Sequence, residues 1–359
     1  MHDLLQQIPE STSGHVDDAR FHNGGWKALA EVGFFEWFEH GIAASEIMRG
    51  MESLGERFED AGLTFLVGAH LFGSLQVLES GGAALPEVQK TIRAEARKGA
   101  HIAHAISEPG AGSDVFSMAS RATRKGETFH IRATKTYVSG LSEADWVLIY
   151  AMTDPDKGAL GGLSAFVLKR GEWQETGRFE KMGLRSCSMG TLAVDCEVPA
   201  DRCVGGEGAG YRLFLRAMDW ERVGLSAIHV GTMRKVLKRT ADYARLRQQS
   251  GKPIAEHQAI QFSLAEMATG LEASSLLVAW AAKQLDRKGN SKERTRRAAM
   301  AKLQVSETLV DVCRRSVQIH GGAGYVAGVG PERWLRDSLS STIYSGTSEI
   351  QRKLISSFL

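Results

Sequence analysis

Glu221 shares one helical face with Phe214, Met218, Leu225 and Ile228, at successive steps of four, three, four and three residues. Its neighbours three and four positions away are Ala217, Met218, Gly224 and Leu225, so no cation on its own helix neutralises it. Arg222, next in sequence, projects about 100° away. A carboxylate kept from water gains proton affinity, which makes it a general base suited to taking a proton from carbon near neutral pH. The plainer reading, also open from sequence, is that Glu221 marks a domain edge or pairs with an arginine of another helix.

Other segments suit ligand binding. Residues 104–114, His-Ala-Ile-Ser-Glu-Pro-Gly-Ala-Gly-Ser-Asp, combine small residues that let backbone approach a planar ligand with hydroxyls able to bond its polar edge. Read alone, such a segment is a loop. Tyr137 and Ser139 add a π-face and a hydroxyl donor. Arg247 carries a guanidinium that stays charged and donates bidentately to phosphate. Residues 318–325, Gln-Ile-His-Gly-Gly-Ala-Gly-Tyr, read alone as a helix running into a glycine cap.

These residues lie on three kinds of element. From 26 to 98 the pattern is helical, with apolar residues at three- and four-residue spacing through 47–58 and 63–78, broken at Gly81-Gly82 and Pro86. Between 101 and 202 the period changes: 129–133 and 191–198 alternate, and 146–152 and 163–168 read as buried strands. Helical periodicity returns over 211–247, 259–287 and 292–320, followed by a short C-terminal helix. Helices, then strands, then helices, without βαβ alternation, exclude a doubly wound nucleotide fold. The expected domains are 1–100, 101–209 and 210–359. The charged stretch 287–297 reads as a solvated loop and helix start.

With 359 residues, 43% hydrophobic and 24% charged, the chain has the composition of an ordinary soluble globular protein. A net charge of +2 gives no global field that would argue for nucleic acid or a membrane surface. The first ten residues lack a basic region followed by an apolar core, and no stretch approaches 18 consecutive apolar residues, so a cytoplasmic protein without membrane insertion is expected. Cys187, Cys196, Cys203 and Cys313 show no paired spacing, so neither a metal site nor a redox pair is expected.

From about residue 85 to the end, several motifs in order resemble the acyl-CoA dehydrogenase family. SEPGAGSD resembles its flavin-binding signature. Tyr137 stands where a Trp is commoner and Ser139 where a Thr is. The resemblance implies a mixed α and β fold with an N-terminal helical region, here shortened, a central β domain and a C-terminal four-helix bundle. It also implies FAD, held by Ser107, Ser113, Tyr137 and Ser139. Arg247 resembles the arginine that reaches the FAD pyrophosphate of a neighbouring subunit, although Ser250 replaces the usual aromatic before Gly251. Gln318, Gly321 and Gly322 resemble the segment along the adenosine diphosphate of the partner's FAD, and Thr347 and Glu349 match positions on the pyrophosphate and ribose side.

Residues 343–352 resemble the family's flavin-side loop, but Ser345 stands where many members carry a catalytic glutamate. Serine cannot hold a proton taken from carbon at neutral pH. Trp220-Glu221-Arg222 resembles the site where isovaleryl- and long-chain-type members place their base, so the resemblance makes Glu221 the base and leaves Ser345 to offer its backbone N–H to the developing oxyanion. The implied activity is an FAD-dependent acyl-thioester dehydrogenase forming a 2,3-enoyl thioester by α-proton abstraction and β-hydride transfer to flavin N5. The implied assembly is a homotetramer, a dimer of dimers. The thioester's carrier, coenzyme A or a carrier protein, stays open, as does the electron acceptor. On a carrier-protein reading Arg294, Arg296 and Arg297 are docking candidates. A flavin-dependent oxidase or monooxygenase on the same fold, and a non-catalytic assembly partner, are the rival readings.

Overall fold

The computed structural model describes residues 2–8, 20–38, 41–80, 85–287 and 289–359. The N-terminal part is helical: α1 (His2–Gln6), α2 (Asn23–Glu31), α3 (Ala44–Arg57), α4 (Ala61–Gly68), α5 (Gln76–Glu79) and α6 (Glu87–Arg97). Asp60 starts α4 by accepting from the Leu63 N–H at 3.0 Å, and the Ser186 hydroxyl donates to the same oxygen. Between α4 and α5 the helix continues as a π-helical segment, Ala69–Leu75. The run Ala61–Glu79 is long and apolar enough to cross a membrane, yet 89% of its most apolar stretch is buried inside the protein, so its hydrocarbon surface is consumed by packing. The helix break expected at Gly81-Gly82 lies outside the described residues.

The strands are β1 (Ile102–Ala105), β2 (Arg121–Lys125), β3 (Thr128–Ser139), β4 (Trp146–Met152), β5 (Leu163–Lys169), β6 (Gln174–Arg178), β7 (Met189–Pro199) and β8 (Cys203–Val204), with the short α7 (Gly158–Gly162) before β5. The sheet order is β6-β7-β3-β2-β4-β5-β8, and β1 pairs with β4 in parallel, His104 opposite Leu148. All seven residues of β4 are buried. One face (Leu148, Tyr150, Met152) joins the helical core and the other (Val147, Ile149, Ala151) joins a core within the sheet. That explains an unbroken apolar run where a one-sided strand would alternate. β3 alternates until its register on β7 shifts between Lys135 and Val138. At this bulge Tyr137 takes φ +56° and turns outward, 62% exposed.

The C-terminal part is led by α8 (Gly210–Leu246), then a small hairpin, β9 (Gln248–Gln249) and β10 (Lys252–Pro253). Ser250 at φ +54° and Gly251 at φ +78° make its turn. The helices α9 (Gln258–Leu285), α10 (Ser291–His320), α11 (Gly322–Tyr325), α12 (Pro331–Leu339) and α13 (Ser348–Ser356) complete the chain. α8 packs on α3, α9 and α10. Its crossing with α3 needs glycine on both sides: a Cβ at Gly231 would lie 1.9 Å from the Glu52 carbonyl, and one at Gly55 2.0 Å from that of Ile228.

The stretch 287–297 is the loop and helix start expected, exposed at 287 and 289–292, while 293–297 are half-buried against neighbouring helices. Asn290 caps α10 in the left-handed region, and Arg294 donates to Asp219 on α8 at 2.9 Å with only 13% of its side chain exposed. Arg296 and Arg297 both hold Glu293 and lie over the Trp280 ring. The run pins α10 to α8 and to α9, and Arg294 is not free to dock a partner.

Candidate active site

α8 carries Glu221 to the junction of three elements: the α4–α5 run, the inner face of β1 and β4, and the loop before α13. The carboxylate is 7% exposed. Burial raises its pKa to about 7, against the lowering effects of a Ser345 hydrogen bond and the Arg222 charge. The Ser345 hydroxyl donates to Oε1 at 2.5 Å. Oε2 meets no hydrogen-bond donor among the described residues and lies 3.8 Å from His104 Nδ1. The π segment opposite presents Gly73, where a Cβ would sit 2.7 Å from Oε2 and 3.1 Å from His104 Nδ1. Only a residue without a side chain fits that position.

Ser345 has φ +53° and is followed by Gly346 at φ +89°. Its carbonyl is pinned from two sides, by Arg222 Nε at 3.2 Å and Gln351 Nε2 at 3.1 Å. Arg222 is itself held by Asp219 at 3.5 Å. Since a peptide's N–H and C=O share one plane, anchoring the Ser345 carbonyl fixes the peptide that joins it to Gly346. The Ser345 N–H, on the preceding peptide, meets no backbone acceptor among the described residues. Ser345 thus offers a hydroxyl as well as a backbone donor; the hydroxyl's bond to Glu221 joins helix to loop and is not visible in sequence.

One turn further along α8 the seam is filled. Phe72 lies against Gly224, Leu225 lies against Gly68, and Phe65 packs on Tyr344 with ring centres 4.7 Å apart. His229 and Tyr344 are hydrogen-bonded beside them. Hydrocarbon therefore closes the C-terminal side of Glu221, and polar groups of His104 and Tyr150 face it from the sheet.

The glycine-rich loop is fastened to the bulge of β3. Lys135, fully buried, reaches Glu108 Oε1 at 2.7 Å, and Glu108 also accepts from the Ala119 and Ser120 N–H groups at 2.6 and 3.1 Å. The Thr136 N–H donates to the Ser107 carbonyl at 2.9 Å. Ser107, Tyr137 and Ser139 are thereby brought to one neighbourhood, with Ser113 on the exposed part of the loop. A Cβ at Gly110 or Gly112 would meet nothing within 4 Å, so the backbone there is open to a ligand. Thr347 caps α13, accepting from the Ile350 N–H at 3.3 Å, and Glu349 stands exposed in its first turn.

The remaining candidates form a second cluster. Arg247 comes after α8, some 26 residues beyond Glu221 and about 39 Å away at the helical rise of ~1.5 Å per residue. Tyr243 stacks on His320 at 4.1 Å and donates to its carbonyl, which brings the Arg247 turn beside Gln318, Gly321 and Gly322. Arg247 and Gln318 are exposed, and a Cβ at Gly321 or Gly322 would meet nothing within 4 Å. The two clusters thus lie at distant parts of the chain's surface; exposed backbone and an aromatic at the β3 bulge suit a flat ligand, and an exposed guanidinium beside open glycines suits a phosphate.

Sequence reasoning gave no role of their own to His104, Tyr150, Gly73 and Arg222, although His104 heads the glycine-rich segment and Arg222 follows the candidate base. A histidine at an inward position of a strand otherwise made of Ile and Ala was a usable signal for the first. The others depend on which elements meet.

Comparison with known proteins agrees with this geometry. Residues 103–196 match the middle domain of acyl-CoA dehydrogenase and residues 208–359 its C-terminal domain. The chain is 39% identical over 261 residues to the caffeyl-CoA reductase-Etf complex subunit CarC of Acetobacterium woodii, covering 72% of this chain and 68% of that one. It is 33% identical over 342 residues to an L-prolyl-[peptidyl-carrier protein] dehydrogenase of Pseudomonas fluorescens, covering 92% and 88%. Among solved structures, the prolyl acyl carrier protein oxidase AnaB superposes with a TM-score of 0.90 at 31% identity over 99% of this chain and 96% of that one. PigA with FAD and proline superposes with 0.92 at 28% over 99% and 94%. The chain belongs to the acyl-CoA dehydrogenase family, FAD-dependent oxidoreductases that act on the CH–CH bond of acyl thioesters.

Proposed function

We propose that this protein dehydrogenates an aminoacyl thioester borne on a carrier protein, with Glu221 as the base. The observation that carries the catalytic part is the Glu221 carboxylate itself: buried, with pKa raised to about 7, one oxygen held by Ser345 and the other open to receive a proton. As that proton leaves the α-carbon, negative charge grows on the thioester carbonyl oxygen, and the Ser345 N–H, which meets no backbone acceptor among the described residues, is the donor that stabilises it. FAD, when bound, supplies the acceptor for the electron pair that leaves the β-carbon as hydride. Ser107, Ser113, Tyr137, Ser139, Thr347 and Glu349 hold the flavin and near phosphate of one FAD, while Arg247, Gln318, Gly321 and Gly322 serve the neighbouring subunit's FAD within a homotetramer.

Two observations support the carrier-borne aminoacyl reading. Prolyl-carrier relatives match 92% and 99% of this chain, at 33% and 31% identity, beside a short-chain acyl-CoA dehydrogenase that matches 90% of it at 33%. The hydrocarbon side of the Glu221 site is filled by Phe72, Leu225 and Tyr344, which suits a small acyl unit. The test is anaerobic mixing of the oxidised holoenzyme with prolyl, butyryl and longer acyl groups, each on coenzyme A and on a carrier protein, while flavin bleaching is followed. Prolyl-carrier is expected to bleach the flavin fastest. Equal or faster bleaching by butyryl- or long-chain acyl-CoA would overturn this reading, and reoxidation by air against an electron-transfer protein identifies the acceptor.

A further inference from the structure

Three neighbouring residues at the base each bury a polar atom without a hydrogen-bond partner among the described residues: Glu221 (Oε2), His104 (Nε2, its Nδ1 being the nitrogen turned to Glu221) and Tyr150 (Oη). His104 and Tyr150 stand on adjacent strands of the inner sheet face, ring centres 5.5 Å apart, and both pack on Phe214 of α8, two turns before Glu221. Leaving one such atom unsatisfied costs about 1–3 kcal/mol, so three at one spot form an expensive wall for a pocket that receives only hydrocarbon. His70 and His101 also bury unpartnered ring nitrogens, but they are packed edge-on against Trp26, away from the base.

The geometry points to His104 and Tyr150, with the unbonded oxygen of Glu221, as the recognition site for the nitrogen on the α-carbon of the substrate's acyl group. This rests on the aminoacyl-thioester reading above and names the residues that enforce it. Glu221 must reach the α-proton, so any atom bonded to the α-carbon lies within the same few ångströms. His104 Nδ1 and Glu221 Oε2 are 3.8 Å apart, too far to bond one another but spaced so that a single nitrogen can approach both within hydrogen-bond distance. Burial and the nearby Lys135 charge hold His104 at a pKa of about 4, so at neutral pH its ring keeps one acceptor nitrogen and one donor. Tyr150 is held protonated by burial and by the Glu221 charge, and its hydroxyl can donate or accept. A carbon in place of the nitrogen leaves these groups unpaired, and a site built to bond a polar atom discriminates far more strongly than an apolar one. His104 and Tyr150 are therefore specificity-determining residues, and Glu221 alone moves the proton.

The test compares L-prolyl and cyclopentanecarbonyl groups, of near-identical shape, loaded on one carrier protein and mixed anaerobically with holoenzyme. The wild type is expected to show a reduction-rate ratio favouring prolyl by roughly 10²-fold or more, expressed mainly in half-saturation. His104→Phe should bring the ratio toward unity, Tyr150→Phe should lower it in part, and His104→Gln, which keeps a donor and an acceptor, should restore much of it. Flavin content and absorbance spectrum report that each variant is folded. A His104→Phe enzyme that keeps the full preference refutes the assignment and leaves the aminoacyl reading standing. A wild type that reduces its flavin with neither compound but does so with ordinary acyl thioesters refutes both.

Discussion

Replacing Glu221 with Gln separates what the carboxylate does for chemistry from what it costs the fold. The buried carboxyl binds its proton more tightly than an exposed one, with the pKa rising from 4.5 to about 7. At about 1.4 kcal/mol per tenfold change in proton affinity this amounts to about 3 kcal/mol. Because the folded value lies above the unfolded one, the stabilisation is fully present below pH 4.5 and is lost as pH rises to about 7. A glutamine carries no charge at any of these pH values, so Glu221→Gln should match the wild type near pH 4.5 and exceed it by up to about 3 kcal/mol by about pH 8.5. With about 2.1 cal/mol/K of unfolding entropy per residue, a chain of 359 residues unfolding as one unit would gain roughly 4 °C. The assay is paired thermal melts at both pH values with matched FAD. In parallel, anaerobic flavin reduction by the variant should fall by roughly 10²–10⁴ with FAD retained. A Tm difference that does not change with pH, or undiminished flavin reduction, would refute the reasoning.

Ser345→Ala removes the donor that holds Glu221's proton affinity down, so the alkaline-rising limb of the flavin-reduction rate should move to higher pH; a limb that stays in place shows the hydroxyl is not coupled to the base. Gly73→Ala puts a methyl where Glu221 Oε2 and His104 stand, and stopped-flow reduction should slow by roughly 10–10² without loss of flavin, since ~1 Å of misplacement is costly; wild-type rates would mean the π segment yields freely. Arg247→Ala should release FAD on dilution and shift the assembly to smaller species by light scattering, and full flavin content in a stable tetramer would argue against sharing between subunits. Lys135→Met leaves Glu108 buried without its cation, which should cost about 3–5 kcal/mol in denaturant unfolding, whereas a near-neutral effect would show that the carboxyl is easily protonated.

The parts of the site written in local periodicity were legible. The face that Glu221 shares with Phe214, Met218, Leu225 and Ile228 is buried as its spacing implies, and the strands of 146–152 and 163–168 match their unbroken apolar runs. Long-range matching was not legible. Asp219 claims Arg294 across 75 residues, which makes the helix start of an otherwise exposed charged run a helix-to-helix clasp. Tyr137 owes its exposure to a register slip of β3 on β7, and a slip depends on the partner strand. His104 and Tyr150 acquire meaning only when β1 pairs with β4 in parallel and the pair is laid on α8. Helical periodicity through 63–78 also passed over the π segment, because one surplus residue barely disturbs an apolar pattern that is buried on every side.

That surplus residue makes Ala69–Leu75 a local absorber. In a straight α-helix one inserted residue would advance every later side chain by about 100° around the axis. A π-helical turn takes up the extra residue in its own wider turn, so the helices on either side keep the phase they would have without it. Deleting one residue from the segment would restore an ordinary α-helix with both flanks packed as before and would change only the side chains that the segment presents, Gly73 among them. The opening in front of the Glu221 carboxylate is thus set by one residue that the rest of the helix does not feel.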